Sequence, residues 1–165
     1  MSKNDHTASA ADSAHMLAVL IECLWWAFSF LLLLGLYQPL LLSPQPYPLY
    51  FDNSFAFLVG FHATRILFTH RYIPYLRPPW TRAALIILSI IALLYTYISF
   101  LRVSMFVQDR GFYELFAHLH AASIPSFAQY AQFQLVLSFA LAFVGLITLP
   151  FVLLYSLYRT YVSKK

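Results

Sequence analysis

Four long apolar runs set the pattern of the chain, at about residues 16–36, 53–70, 82–103 and 132–158. Each is close to the ~20 residues that an α-helix needs to cross the hydrocarbon core of a bilayer. The pattern predicts an all-α fold, an integral membrane bundle of four transmembrane helices. A tail over residues 1–14 is polar, small and alanine-rich and is expected to be disordered, with Asp12 or Ser13 free to cap the first helix. The bundle then takes residues 15–160, and residues 161–165 are a basic tail. The first run has only Lys3 as a basic flank, and Leu34–Pro39 lacks a small-x-small cleavage site, so an uncleaved anchor is expected.

The connections are equally patterned. In residues 37–52, Pro39, Pro44, Pro46 and Pro48 oppose a regular helix and favour extended chain. Asp52, Asn53 or Ser54 is placed to cap the second span. Residues 71–82 interleave Arg71, Arg77 and Arg82 with Tyr72, Tyr75 and Trp80, and Thr81 is placed to cap the third span. Residues 104–131 carry Phe112, Leu115, Phe116 and Leu119 at i, i+3, i+4 and i+7, opposite Glu114, His118 and Ala121. That spacing predicts a short amphipathic surface helix between the third and fourth spans, ended by Pro125. Pro150 is expected to kink the fourth span.

Composition agrees with a membrane setting. Of the 165 residues, 61% are hydrophobic and 10% are charged, and mean hydropathy is +0.70. Soluble domains carry ~25% charged residues, so this chain has too few to cover a surface facing water. Cys23 is the one cysteine, which leaves no intrachain disulfide to form. The formal charge of +4 does not point to nucleic acid, because the basic residues flank apolar runs. Lys3, Arg71, Arg77, Arg82, Arg159, Lys164 and Lys165 fall on one side of a four-span topology, and Arg102 and Arg110 on the other. The positive-inside rule therefore puts both termini in the cytoplasm.

The second run alone holds a histidine and an arginine deep inside, His62 and Arg65. A charge at membrane depth is costly and is usually paired, wetted or functional. Glu22 lies six residues into the first span and Arg65 six residues before Arg71, so at 1.5 Å per residue both sit ~9 Å into the membrane. The two spans are antiparallel, and Glu22 is expected to pair with Arg65, with His62 one turn further in. On the first helix, His15, Glu22 and Ser29 share one face at seven-residue spacing. Trp25 and Trp26 lie too deep for an interfacial belt, so at least one is expected to pack inside.

Three readings of Glu22, Arg65 and His62 compete. The pair simply neutralises two charges and fixes helix register. Alternatively it forms a site for a small molecule, ion or proton, with His62 as a titratable member. A remote third is haem on His62, which needs a second axial ligand from elsewhere. No other cofactor and no metal site is expected. His118 and His120 lack a third ligand, and there is no HExxH, phosphate loop or nucleophile elbow, so an enzyme is not expected.

Small residues form two further stripes. Ala56, Gly60 and Ala63 line one face of the second span, and Ser138, Ala142 and Gly145 one face of the fourth. Such stripes let helix backbones approach closely. A weaker polar line on the third span joins Ser89, Ala92, Thr96 and Ser99. The leading expectation is a non-enzymatic, structural or accessory membrane protein that packs through these faces. Its partners are the lipid bilayer and either further copies of itself or a larger membrane complex.

Several segments together resemble small four-span inner-membrane proteins of Bacteroidota-type bacteria. They are Asn53–Ala56 with its aromatic surroundings, Thr64–Phe68, Gln108–Asp109, Tyr130, Leu149–Pro150, Ser156 and Arg159. The resemblance implies a bacterial inner-membrane setting, and it brings no activity or residue role with it.

Overall fold

The computed structural model describes residues 3–41 and 48–162. Among them the chain is all-helical: α1 (Lys3–Leu41), α2 (Tyr50–Thr69), a 3-10 turn at Pro74–Leu76, α3 (Pro79–Leu115) and α4 (Ile124–Val162). Three helices are long and apolar enough to cross a membrane: α1 over Met16–Leu40, α3 and α4. At ~1.5 Å per residue the 20 residues of α2 also match the ~30 Å of a hydrocarbon core. Asp52, Asn53, His62 and Arg65 keep its hydropathy below that of the other three, and all but His62 are buried.

The centre of the molecule is the contact between α2 and α4. Gly60 meets the α4 backbone at Leu141 and Ala142, so closely that a Cβ there would stand 2.5 Å from the Ala142 nitrogen. Three residues further along both helices, Gly145 faces Ala63 and Thr64. The two helices therefore run in the same direction, with the two small stripes against each other. Ala56, Gly60, Ala63, Ser138, Ala142 and Gly145 are all buried. The stripes are used within one chain.

α3 returns antiparallel to both neighbours. Phe100 packs on Phe139 and Phe143, and Phe55 on Tyr95. Two apolar clusters fill the bundle. One joins Tyr37, Leu40, Leu49, Ala56, Val103, Phe116 and Leu135; the other joins Ile66, Ile73, Leu76, Leu146, Leu149 and Leu153. α1 leans on this three-helix body and exposes Leu17, Leu20, Leu24, Leu31 and Leu34.

Element boundaries differ from the sequence pattern in several places. The α1 backbone is helical from Lys3, where a disordered tail to residue 14 is expected; the alanine-rich Thr7–Ala11 stretch has good helix propensity. α1 also runs through Pro39 to Leu41, held at that end by Tyr37 and the fully buried Leu40. The expected extended segment around Pro44 and Pro46 lies outside the described residues. α2 begins at Tyr50 with no side-chain cap, so the expected capping by Asp52, Asn53 or Ser54 is absent. Asp52 binds Arg102 on α3 instead, at 3.3 Å. α3 starts at Pro79, and Thr81 donates back to the Pro78 carbonyl.

The expected surface helix is not a separate element. Residues 112–115 are the last turn of α3, set off by Gly111 at φ 74°. That left-handed backbone is open to glycine and strained for other residues. Turns follow to Ser123, and α4 then starts at Ile124, well before the expected residue 132. Pro125 opens α4 where it is expected to close a helix. Its missing N–H is harmless in a first turn, where backbone donors have no helical partner. Phe112, Leu115, Phe116 and Leu119 turn their apolar side onto the bundle, and Phe116 meets Phe127 at 5.9 Å. α4 is continuous through Pro150.

Candidate functional site

The polar face of α1 meets the polar face of α2. Arg65 donates from one terminal nitrogen to both Glu22 oxygens, at 2.8 and 2.7 Å. The arginine is 8% exposed, and the Glu22 side chain is 23% exposed. Trp25 places its ring 5.7 Å from the guanidinium carbon, close enough for a cation–π attraction. Thr69 donates to the Arg65 carbonyl, which ties the next turn of α2 to the same point.

One turn deeper, His62 stacks on Trp26 with 3.9 Å between ring centres. Its Nε2 lies 3.2 Å from the Ser29 hydroxyl, which also donates to the Trp26 carbonyl. Glu22 and Ser29 thus both face α2, as their seven-residue spacing predicts. Trp25 packs between Phe28, Phe61 and Arg65, while Trp26 remains half exposed beside His62. For haem, Ser29 holds the His62 nitrogen that an axial bond needs, and Trp26 covers the ring. Among the described residues no three His, Cys, Asp or Glu side chains cluster.

A cavity of about 290 Å³ opens beside the pair. Glu22, Arg65, Thr69 and Tyr72 give it a polar side, and Leu17, Ile21, Trp25 and Ile73 an apolar one. Arrangements of this kind suit an amphiphilic guest, one end meeting charge and the other meeting hydrocarbon.

Two polar connections escape the sequence pattern. Arg82 binds the Leu76 and Arg77 carbonyls and reaches the Ser156 carbonyl and the Thr160 hydroxyl of α4, at 3.3 and 2.9 Å. It locks the 71–78 turn and the start of α3 to the end of α4. The sequence shows Arg82 only as one more flanking cation. Asp52–Arg102 is the second, and the i, i+50 separation carries no local signal. Compared with known proteins, the chain matches no family model, no curated protein and no solved structure.

Proposed function

We propose that this chain is a non-enzymatic, four-span protein of a bacterial inner membrane, structural or accessory in role, with both termini in the cytoplasm. The carrying observation is the Glu22–Arg65 pair. The opposite charges on α1 and α2 are closed on each other, and the polar side chains around them are tied to the same two helices. A clasp between helices is what that geometry does directly. α2 serves as the fourth span because its charged residues are sheltered by neighbouring helices.

The surface offered to a further copy or a larger complex is the apolar face of α1. The small stripes are occupied within the chain, and α1 exposes a long row of leucines with Cys23 among them. The deciding experiment is native mass spectrometry of protein released gently from its own membrane. A mass of 19.0 kDa or a clean multiple supports the structural reading. Retained extra mass that is lost in Arg65→Met supports a second reading.

That second reading is a binding or transport site, and the cavity beside Glu22 and Arg65 favours it. Here the pair offers a carboxylate and a guanidinium to a small zwitterion, ion or lipid headgroup, with His62 behind them. Haem at His62 has the least support.

A further inference from the structure

A second polar region lies on the opposite side of α2, inside the three-helix body. Asn53, Thr96 and Ser99 are 0% exposed and Gln134 is 1% exposed. Both polar atoms of the Asn53 amide, the Thr96 and Ser99 hydroxyls and the Gln134 carbonyl oxygen are buried without a hydrogen-bond partner among the described residues. Buried polar groups are almost always bonded, and an unbonded one is strongly disfavoured.

The two hydroxyls differ from six others on the helices. Ser29, Thr64, Thr69, Ser89, Thr148 and Thr160 all donate to a carbonyl three or four residues back on their own helix. That bond is open to any helical serine or threonine. Thr96 and Ser99 do not make it.

Helix register brings the four residues into one region. Asp52 binds Arg102 and Phe55 packs on Tyr95, so Asn53 runs past the α3 segment that holds Ser99 and Thr96. On the other side, Gly60 faces Ala142 on the parallel α4. Two turns before both, ~10 Å along the helices, stand Asn53 and Leu135, with Gln134 adjoining. By this register Gln134, Asn53 and Ser99 stand at similar levels along their helices, with Thr96 about one turn further along α3. The Asp52–Arg102 ion pair stands at the same level, with Arg102 exposed and Asp52 buried. A separate cavity of about 490 Å³ between α3 and α4, which none of Asn53, Thr96, Ser99 and Gln134 lines, holds Ser104, Gln108 and Gln132.

We propose that Asn53, Ser99, Thr96 and Gln134 line a hydrated track inside the α2–α3–α4 core, entered beside Asp52 and Arg102, whose ligand is a short file of water molecules. Water is the guest that suits them, since it donates to the four orphaned oxygens on hydroxyls and amides and accepts from the Asn53 amide. A buried water typically makes ~3 such bonds, and four residues on three helices supply them. The track is separate from the Glu22–Arg65 clasp and does not depend on the role given to that pair.

The test is water-to-amide magnetisation transfer in the full chain in lipid nanodiscs, read at the side-chain NH2 groups of Asn53 and Gln134. Asn53→Leu and Gln134→Leu identify the two signals. Transfer to both, as at the exposed Gln108, is the expected result. Transfer at Gln108 with none at Asn53 or Gln134 overturns the proposal. Thermal unfolding of Thr96→Val and Ser99→Ala gives an independent reading with mild variants. A hydroxyl that holds water is missed when removed, so the expected change is a lower Tm together with weaker transfer at Asn53. A raised or unchanged Tm marks a dry, unbonded hydroxyl and overturns the track.

Discussion

Arg65 and Glu22 are worth more together than apart. A guanidinium charge only 8% exposed is costly to hold alone, so it must keep an anion or reach water. Removing Glu22 alone leaves the cation buried, and removing Arg65 alone leaves the carboxylate half-sheltered. Each single change to methionine should cost roughly 3 kcal/mol, the lower end for a broken buried pair, because Glu22 retains some access to water. The double change to methionine should recover most of that loss, since well-packed apolar replacements of buried pairs are close to neutral. Thermal unfolding in detergent across the four-member cycle measures this. A double variant no more stable than the worse single would show that the two residues do not act as one unit. Arg82 calls for a different expectation. Its four acceptors lie on the 71–78 turn and on the end of α4, so Arg82→Ala should loosen that corner without unfolding the bundle. Faster proteolysis near residues 77–80 with nearly unchanged Tm is the expected outcome.

The four helices differ in how closely they need one another, and two glycines measure the difference. At Gly60 a new Cβ meets α4 backbone at 2.5–2.7 Å, and backbone cannot swing aside as a side-chain tip can. Gly60→Ala should push α2 away from α4 and destabilise the fold by about 1–3 kcal/mol, the usual range for overpacking. At Gly35 on α1 nothing lies within 4 Å of the same added atom. Gly35→Ala should therefore stabilise by about 0.5–1 kcal/mol through helix propensity alone. Opposite signs in parallel melts check both. These elements also mark where the sequence speaks and where it is silent. Small residues three and four apart on two runs announce close packing, and Glu22 and Arg65 announce each other through matched depth. Which stripe meets which is not local information, and the stripes expected to suit a partner are closed inside the chain. Pro125 misled for a related reason. A proline can end a helix or begin one, and the choice falls to Phe116 and Leu119, which gain burial by folding back onto the bundle.

At the scale of the molecule the proposed crossing by α2 has a direct consequence. α1, α3 and α4 alone make three crossings, an odd number, which puts the termini on opposite sides. A fourth crossing by α2 returns them to the same side. Two features favour four. α2 lies parallel to α4, a helix long and apolar enough to cross, and meets it near mid-length, at Gly60 against Ala142. Its charged side chains Asp52 and Arg65 are both buried and both ion-paired, to α3 and to α1, so little of their charge is left to lipid. The basic residues agree, because the 71–78 turn then shares a side with Lys3 and Lys165, and Arg102 and Arg110 lie opposite. Reporter fusions in bacterial cells decide the matter. Alkaline phosphatase, active only outside the cytoplasm, should be inactive when fused after Arg77 or Lys165 and active when inserted at residues 116–123. A fluorescent protein at either terminus should light up. Active phosphatase at Lys165 with fluorescence at the N-terminus would mean three crossings, and α2 would then have to reach its place beside α4 without traversing the bilayer.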